Sequence, residues 1–158
     1  MYAPKTLPIE TKIQESLRHI TTLNHSCHAY FTHVEPFTRA DIQAKTNDTD
    51  LLTIIAMIHR LAEVDERIKQ SVKRLKEQLK QYEKLIQTKK SLLKIPGAKQ
   101  DTVDVVAEHE TRLLPLYRAE ITSVCLATKG NSEKVKELKT TTVNEIQRTI
   151  ALRRINKN

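Results

Sequence analysis

Glycine is nearly absent from this chain: Gly97 and Gly130 are the only two in 158 residues. Glycine supplies the left-handed backbone of tight turns, so few such turns can form and most of the chain must run in long elements. Tryptophan is missing and aromatic residues make up only 4%, which removes side chains that favour a pleated sheet. Cysteine is also scarce. Cys27 and Cys125, with no apolar leader ahead of them, are expected to be free thiols rather than a disulfide.

The segment Met1-Tyr2-Ala3-Pro4-Lys5 lacks the apolar stretch of a secretion signal. Every apolar run is broken by polar residues within a few positions, far short of the roughly 20 residues of a membrane-spanning helix. The expectation is therefore a cytoplasmic or otherwise intracellular protein. On that expectation the sequon-like Asn24-His25-Ser26 and Asn47-Asp48-Thr49 carry no weight.

What the chain does have is helical periodicity. Ile9, Ile13, Leu17, Ile20, Leu23, Cys27 and Phe31 recur three or four apart and predict a first helix over about 7–34. Thr6 is a plausible cap, Pro8 is tolerable in a first turn, and Pro36 forces an end. A polar connection over 36–49 follows, with room for one extra turn around Ala40 and Ile42. The strongest pattern comes next: Leu51, Ile54, Ile58, Leu61, Asp65, Ile68, Val72, Leu75, Leu79, Tyr82, Ile86, Lys89 and Leu93 keep a heptad register. It predicts one helix over 50–94, capped by Thr49 or Asp50 and stopped by Pro96-Gly97. At 1.5 Å per residue such a helix is roughly 65 Å long.

A third helix is expected over 101–128, capped by Asp101 and disturbed at Pro115, with a stop at Lys129-Gly130. A fourth is expected over 132–155 from a Ser132 cap, loosened where Thr140, Thr141 and Thr142 stand in a row. The short Pro96-Gly97 link makes the second and third helices antiparallel neighbours. The fold class that results is all-α: an elongated three- or four-helix bundle, a single domain over 1–158, built around one long coiled-coil-like helix with an antiparallel helical hairpin.

Charge is unevenly spread. The net +8 of the whole chain contains a segment, 67–100, with eleven basic and two acidic side chains. Lys84, Lys89, Lys90, Lys94 and Lys99 crowd the hairpin tip and form a candidate anion-binding surface. Asp101, Asp104, Glu108 and Glu110 on the returning arm offer partial neutralisation.

Enzyme motifs fail on inspection. Ile95-Pro96-Gly97-Ala98-Lys99 lacks the glycine spacing and the Ser/Thr of a phosphate loop. His109-Glu110-Thr111-Arg112 begins like a zinc-protease helix, but Leu113 stands where the second histidine is needed. His25, Cys27, His28 and His33, with Glu35 nearby, are the one concentration of metal-ligating types. His25 and His28 sit three apart, but Cys27 lies toward the apolar face, so no metal site and no cofactor is expected. The expected function is that of a non-enzymatic helical adaptor or scaffold. It would bind a protein partner, or a second copy of the chain, through the stripe Ile68, Val72, Leu75, Leu79, Tyr82, Ile86 and Leu93. The alternative is a basic-surface binder of nucleic acid or anionic membrane.

Overall fold

A computed structural model of the chain describes residues 6–34, 39–45, 47–97 and 99–156. Of these, 93% are helical and none lies in a strand, so the protein is an all-α bundle. Helix α1 spans Pro8–Val34, the short α2 spans Arg39–Ala44, and α3 runs unbroken over Asp48–Leu92. After the Pro96-Gly97 turn, α4 (Gln100–Glu108), α5 (Leu114–Glu137) and α6 (Val143–Asn156) follow. They are joined end to end by π-helical turns at His109–Leu113 and Leu138–Thr142.

The ends of these helices follow local chemistry. Leu7, not Thr6, precedes the first turn of α1, where Pro8 needs no donor. Its amide donates to Glu10 Oε2 at 2.7 Å, the carboxylate half of a capping box. Asn47, rather than Thr49 or Asp50, caps α3: its side-chain oxygen accepts from the Thr49 amide at 2.9 Å. Pro36, expected to end α1, lies outside the described residues, as do Glu35 and Lys157 and the side chain of His33. Gly97 makes the turn with φ of 90°, the left-handed conformation that glycine adopts without strain.

Gly130 does not end a helix. The expected third and fourth helices are one continuous run from Gln100 to Asn156, and Gly130 and Ser132 sit inside α5. A single exposed glycine costs a helix roughly 1 kcal/mol, too little to break a run held by burial on one face. Pro115 occupies the first turn of α5 just after one π turn, and the threonine run falls in the other. The buried face explains both turns. Ile121, Thr128 and Val135 are buried seven apart, but His109 to Tyr117 and Val135 to Val143 are each eight apart. Eight residues of α-helix overshoot two turns by about 80°, and a π turn absorbs the extra residue.

The described residues divide into two compact units, one of residues up to Thr21 with Gln70–Leu126, the other of Thr22–Lys69 with residues from Ala127 onward. In the first unit Ile13, Leu17 and Ile20 of α1 are buried, as are Leu75, Tyr82 and Ile86 of α3, with Val106, Leu114 and Ile121 from the returning run. Lys90 pairs with Glu110 at 3.2 Å and Arg118 with Glu83 at 3.4 Å, which fixes α3 and that run as antiparallel. In the second unit Cys27, Phe31, Ile42, Leu51, Ile54, Ile58, Leu61, Ile68, Val135, Val143, Ile146 and Ile150 are buried. There α1 and α5 run parallel, with Asn24 bonded to Thr128 and Lys134 over the Phe31 ring. Arg153 of α6 donates to Asp48 at 3.1 Å and to the Gln43 carbonyl at 3.3 Å.

Two substitutions test this arrangement. No atom lies within 4 Å of a Cβ built on Gly130, so Gly130→Ala is expected to stabilise the protein by about 0.5–1 kcal/mol in urea unfolding. A turn at Gly130 would give a loss instead. Leu75 is fully enclosed, and Leu75→Ala is expected to cost about 2–5 kcal/mol in the same measurement.

Candidate functional site

The heptad stripe is covered within the chain. Ile68, Val72, Leu75, Tyr82 and Ile86 are buried, and Leu79 and Leu93 are half-buried. These residues are the inner face of the bundle, so the stripe is not the open surface for a partner helix that periodicity suggested. Periodicity reports that a face is buried and is silent on whether the cover comes from the same chain.

The basic residues, by contrast, remain outside. Lys84, Lys90, Lys94 and Lys99 are exposed and Lys89 is half-buried. Lys90 pairs with Glu110, while among the described residues Lys84, Lys94 and Lys99 have no carboxylate partner. Beside them stand apolar side chains that the bundle leaves in water: Leu92 is 55% exposed and Ile95 58%. Both lie where α3 unwinds, with Lys94 donating to the Ser91 carbonyl and Ile95 to that of Leu92. The last turn thus tightens before Pro96-Gly97, and both side chains stand off the seam of Ile86, Lys89 and Leu93.

Behind this turn, the first unit holds a buried polar cluster that motif inspection did not anticipate. Glu10 is 2% exposed and His109 fully enclosed. Glu10 Oε1 accepts from the Tyr117 hydroxyl at 3.1 Å, and Gln14 donates to that same hydroxyl at 2.9 Å. The Tyr82 ring meets Tyr117 and His109 edge-on, with centroids 5.7 and 5.5 Å away. The Tyr82 hydroxyl and His109 Nδ1 share a hydrogen bond. His109 Nε2 is buried with no partner among the described residues. Burial, then the Glu10 charge, raises the Tyr82 hydroxyl above its ordinary pKa. Burial likewise raises Tyr117 and lowers His109. The available signals in the sequence were the eight-residue step from His109 to Tyr117 and the carboxylate three residues after Leu7.

In the second unit, Asp65 is explained as a buried acceptor. It takes a hydrogen bond from Ser132 at 2.6 Å and an ion pair from Lys69 at 3.2 Å. Ser132, expected as a cap, serves that bond instead. Burial and then the Asp65 charge push the Cys27 thiol up to about 11, which keeps it protonated and poorly nucleophilic. Both cysteines are free. Cys27 is buried while His25 and His28 are exposed, so the three do not converge. A cleft of about 520 Å³ opens beside Asp65, lined by Lys69, Lys129, Lys136 and Lys139 together with Glu66 and Glu133. Its charges are mixed and give no converging set for one ligand.

The enclosed histidine makes stability depend on pH. Groups facing it are Glu10 from α1, Lys89 and Tyr82 from α3, and Glu108 from the preceding turn, with burial the largest influence. Its pKa is lower folded than unfolded, so between the two values the unfolded chain binds more protons. The contribution is complete above about 6.5, the unfolded value, and is lost as pH falls below it. Urea midpoints are expected to drop as pH falls below about 6.5, with a shallower drop in His109→Gln. Equal slopes in the two proteins would remove His109 as the cause.

No protein-family model, curated protein or solved structure matches the chain, so function must be argued from these residues.

Proposed function

We propose that this protein is a non-enzymatic helical adaptor or scaffold module, and that the hairpin turn of the first unit is the surface it presents to a partner macromolecule. The observation that carries this reading is the pairing of Leu92 and Ile95, each more than half exposed, with five lysines and no acidic residue between positions 84 and 100. Large aliphatic side chains left in water beside concentrated charge of one sign offer a partner both apolar contact and electrostatic attraction.

The non-enzymatic part has its own support. The titratable groups that cluster most closely, Glu10, Tyr82, His109 and Tyr117, are enclosed in packing, whereas catalytic groups generally converge on a pocket that a substrate can enter. A homodimer zipped through Ile68, Val72, Leu75 and Tyr82 would have to expel the chain's own helices from those side chains, losing burial worth about 1.5–3 kcal/mol per large residue. Binding outside the bundle has no such cost.

Affinity capture from the native cell tests the reading, comparing the natural protein with Leu92→Ser/Ile95→Ser and with Lys94→Glu/Lys99→Glu. The expected outcome is a retained species that both double substitutions reduce at least about tenfold, a loss equivalent to about 1.4 kcal/mol. Retention unchanged by either pair would rule out the turn as the contact. Size-exclusion chromatography with light scattering is expected to give a species near 18.2 kDa. A dimer dissociated by substitution at Leu75 or Tyr82 would restore the heptad stripe as the interface.

A further inference from the structure

We infer that the surface proposed above is occupied by an anionic lipid bilayer, a narrowing that rests on that reading of the turn. Leu92 and Ile95 enter the interfacial layer while Lys94 and Lys99, with Lys84 farther along α3, meet acidic headgroups. The turn joins an antiparallel pair, and two aliphatic side chains on it, Leu92 and Ile95, are more than half exposed. Aliphatic side chains flanked by lysines can enter the interfacial layer of a bilayer while their cations stay at headgroup level. No helix among the described residues is long and apolar enough to cross a membrane, so the contact is one of lying against the surface.

The kind of charge points the same way. All five cations between 84 and 100 are lysines. Lysine is a flexible point charge that suits mobile headgroups, whereas fixed carboxylate or phosphate pockets favour the planar arginine fork. Lysine stems can also lie along apolar surface while their ammonium groups stay at headgroup level. Asp101 and Asp104 begin the returning arm and oppose this field, leaving five lysines against two aspartates between 84 and 104. Nucleic acid is the weaker fit. No aromatic residue lies between Tyr82 and Tyr117 to stack on bases, and exposed Leu92 and Ile95 have no role against a phosphate backbone.

The absence of tryptophan supplies a clean probe. In Ile95→Trp the single indole reports the polarity around the turn. With vesicles of phosphatidylcholine containing about 30% phosphatidylserine, the full chain is expected to co-sediment. It should bind at least about tenfold more tightly than to phosphatidylcholine alone. The Trp emission should shift to the blue and be quenched by brominated acyl chains. Lys94→Glu/Lys99→Glu should weaken binding at least about tenfold. Leu92→Ser/Ile95→Ser should do the same, with helical circular dichroism unchanged in both.

Failure to bind acidic vesicles overturns the inference. So does binding with unshifted emission and no loss in Leu92→Ser/Ile95→Ser, which is adhesion by charge alone. Tighter binding to a duplex of about 20 base pairs, indifferent to the leucine and isoleucine changes and lost at high salt, would replace the bilayer with nucleic acid. If vesicles fail while the same substitutions still abolish capture from the native cell, the bilayer falls and the adaptor reading stands. If neither responds, both fall.

Discussion

The structure depends on one constraint: α3 carries a seven-residue apolar repeat along nearly its whole length, and that seam has to be covered. Ten of its positions from Leu51 to Ile86 are buried, including Asp65. A regular α-helix drifts by about 20° per heptad against such a repeat, so a covering run of 57 residues needs its own phase corrected. Here the correction is local. Each unit contains one π turn, and each turn stands where the buried positions step by eight instead of seven. Proline and threonine are tolerated there because the regular ladder is already altered. Pro115 has no amide to offer, and the Thr111 and Thr140 hydroxyls bond back to the carbonyls of Ala107 and Lys136.

The same constraint accounts for the buried polar groups. A polar side chain on an inward face is costly without a partner, because an unpaired buried donor or acceptor costs about 1–3 kcal/mol, and His109 Nε2 bears that cost among the described residues. Asp65 finds Ser132 and Lys69, and Asn24 finds Thr128 and Asn131. Glu10 satisfies the start of α1 with one oxygen and Tyr117 with the other. The bonds to Ser132, Thr128, Asn131 and Tyr117 join residues more than 60 apart in sequence, so they fix which turn of one helix faces which turn of another. Leucines alone tolerate a slip by one heptad. The Asp65–Ser132 bond and the Asn24–Thr128 bond do not.

Periodicity made the α-helical class, the bounds of α1 and α3, and the hairpin at Pro96-Gly97 legible, because each rests on signals within a few residues. The extra turn around Ala40 and Ile42 was legible for the same reason and is α2. Gly130 was misleading because a glycine signals a helix end only when its φ is positive, and a sequence does not carry φ. Ser132 and Asn47 show a similar limit: capping residues are recognised by type, yet the bond each makes depends on what packs opposite. The cluster around His109 was out of reach, since three separate stretches of chain contribute to it. The lysines at the turn were plain from composition. Leu92 and Ile95 beside them stand off the seam positions Ile86, Lys89 and Leu93, so the register already places them outside the boundary of the covered face; only how far each is exposed depends on what packs at the turn.

That boundary bears on function. Covering the seam internally removes the feature which, in sequence, looked most like a docking stripe, and it turns attention to side chains for which the bundle has no use. In the first unit, going toward the turn, the polar cluster of Glu10, Tyr82, His109 and Tyr117 is followed by the Lys90–Glu110 pair and then by buried Val106, the last enclosed apolar residue before the turn. Leu92 and Ile95 stay more than half exposed at this end. Aliphatic side chains cost solubility when exposed, and a chain with 29% charged residues has many polar types that could stand there. At the turn Leu92 and Ile95 stand beside Lys94 and Lys99, which have no carboxylate partner among the described residues, and that juxtaposition is the ground on which the proposed contact rests.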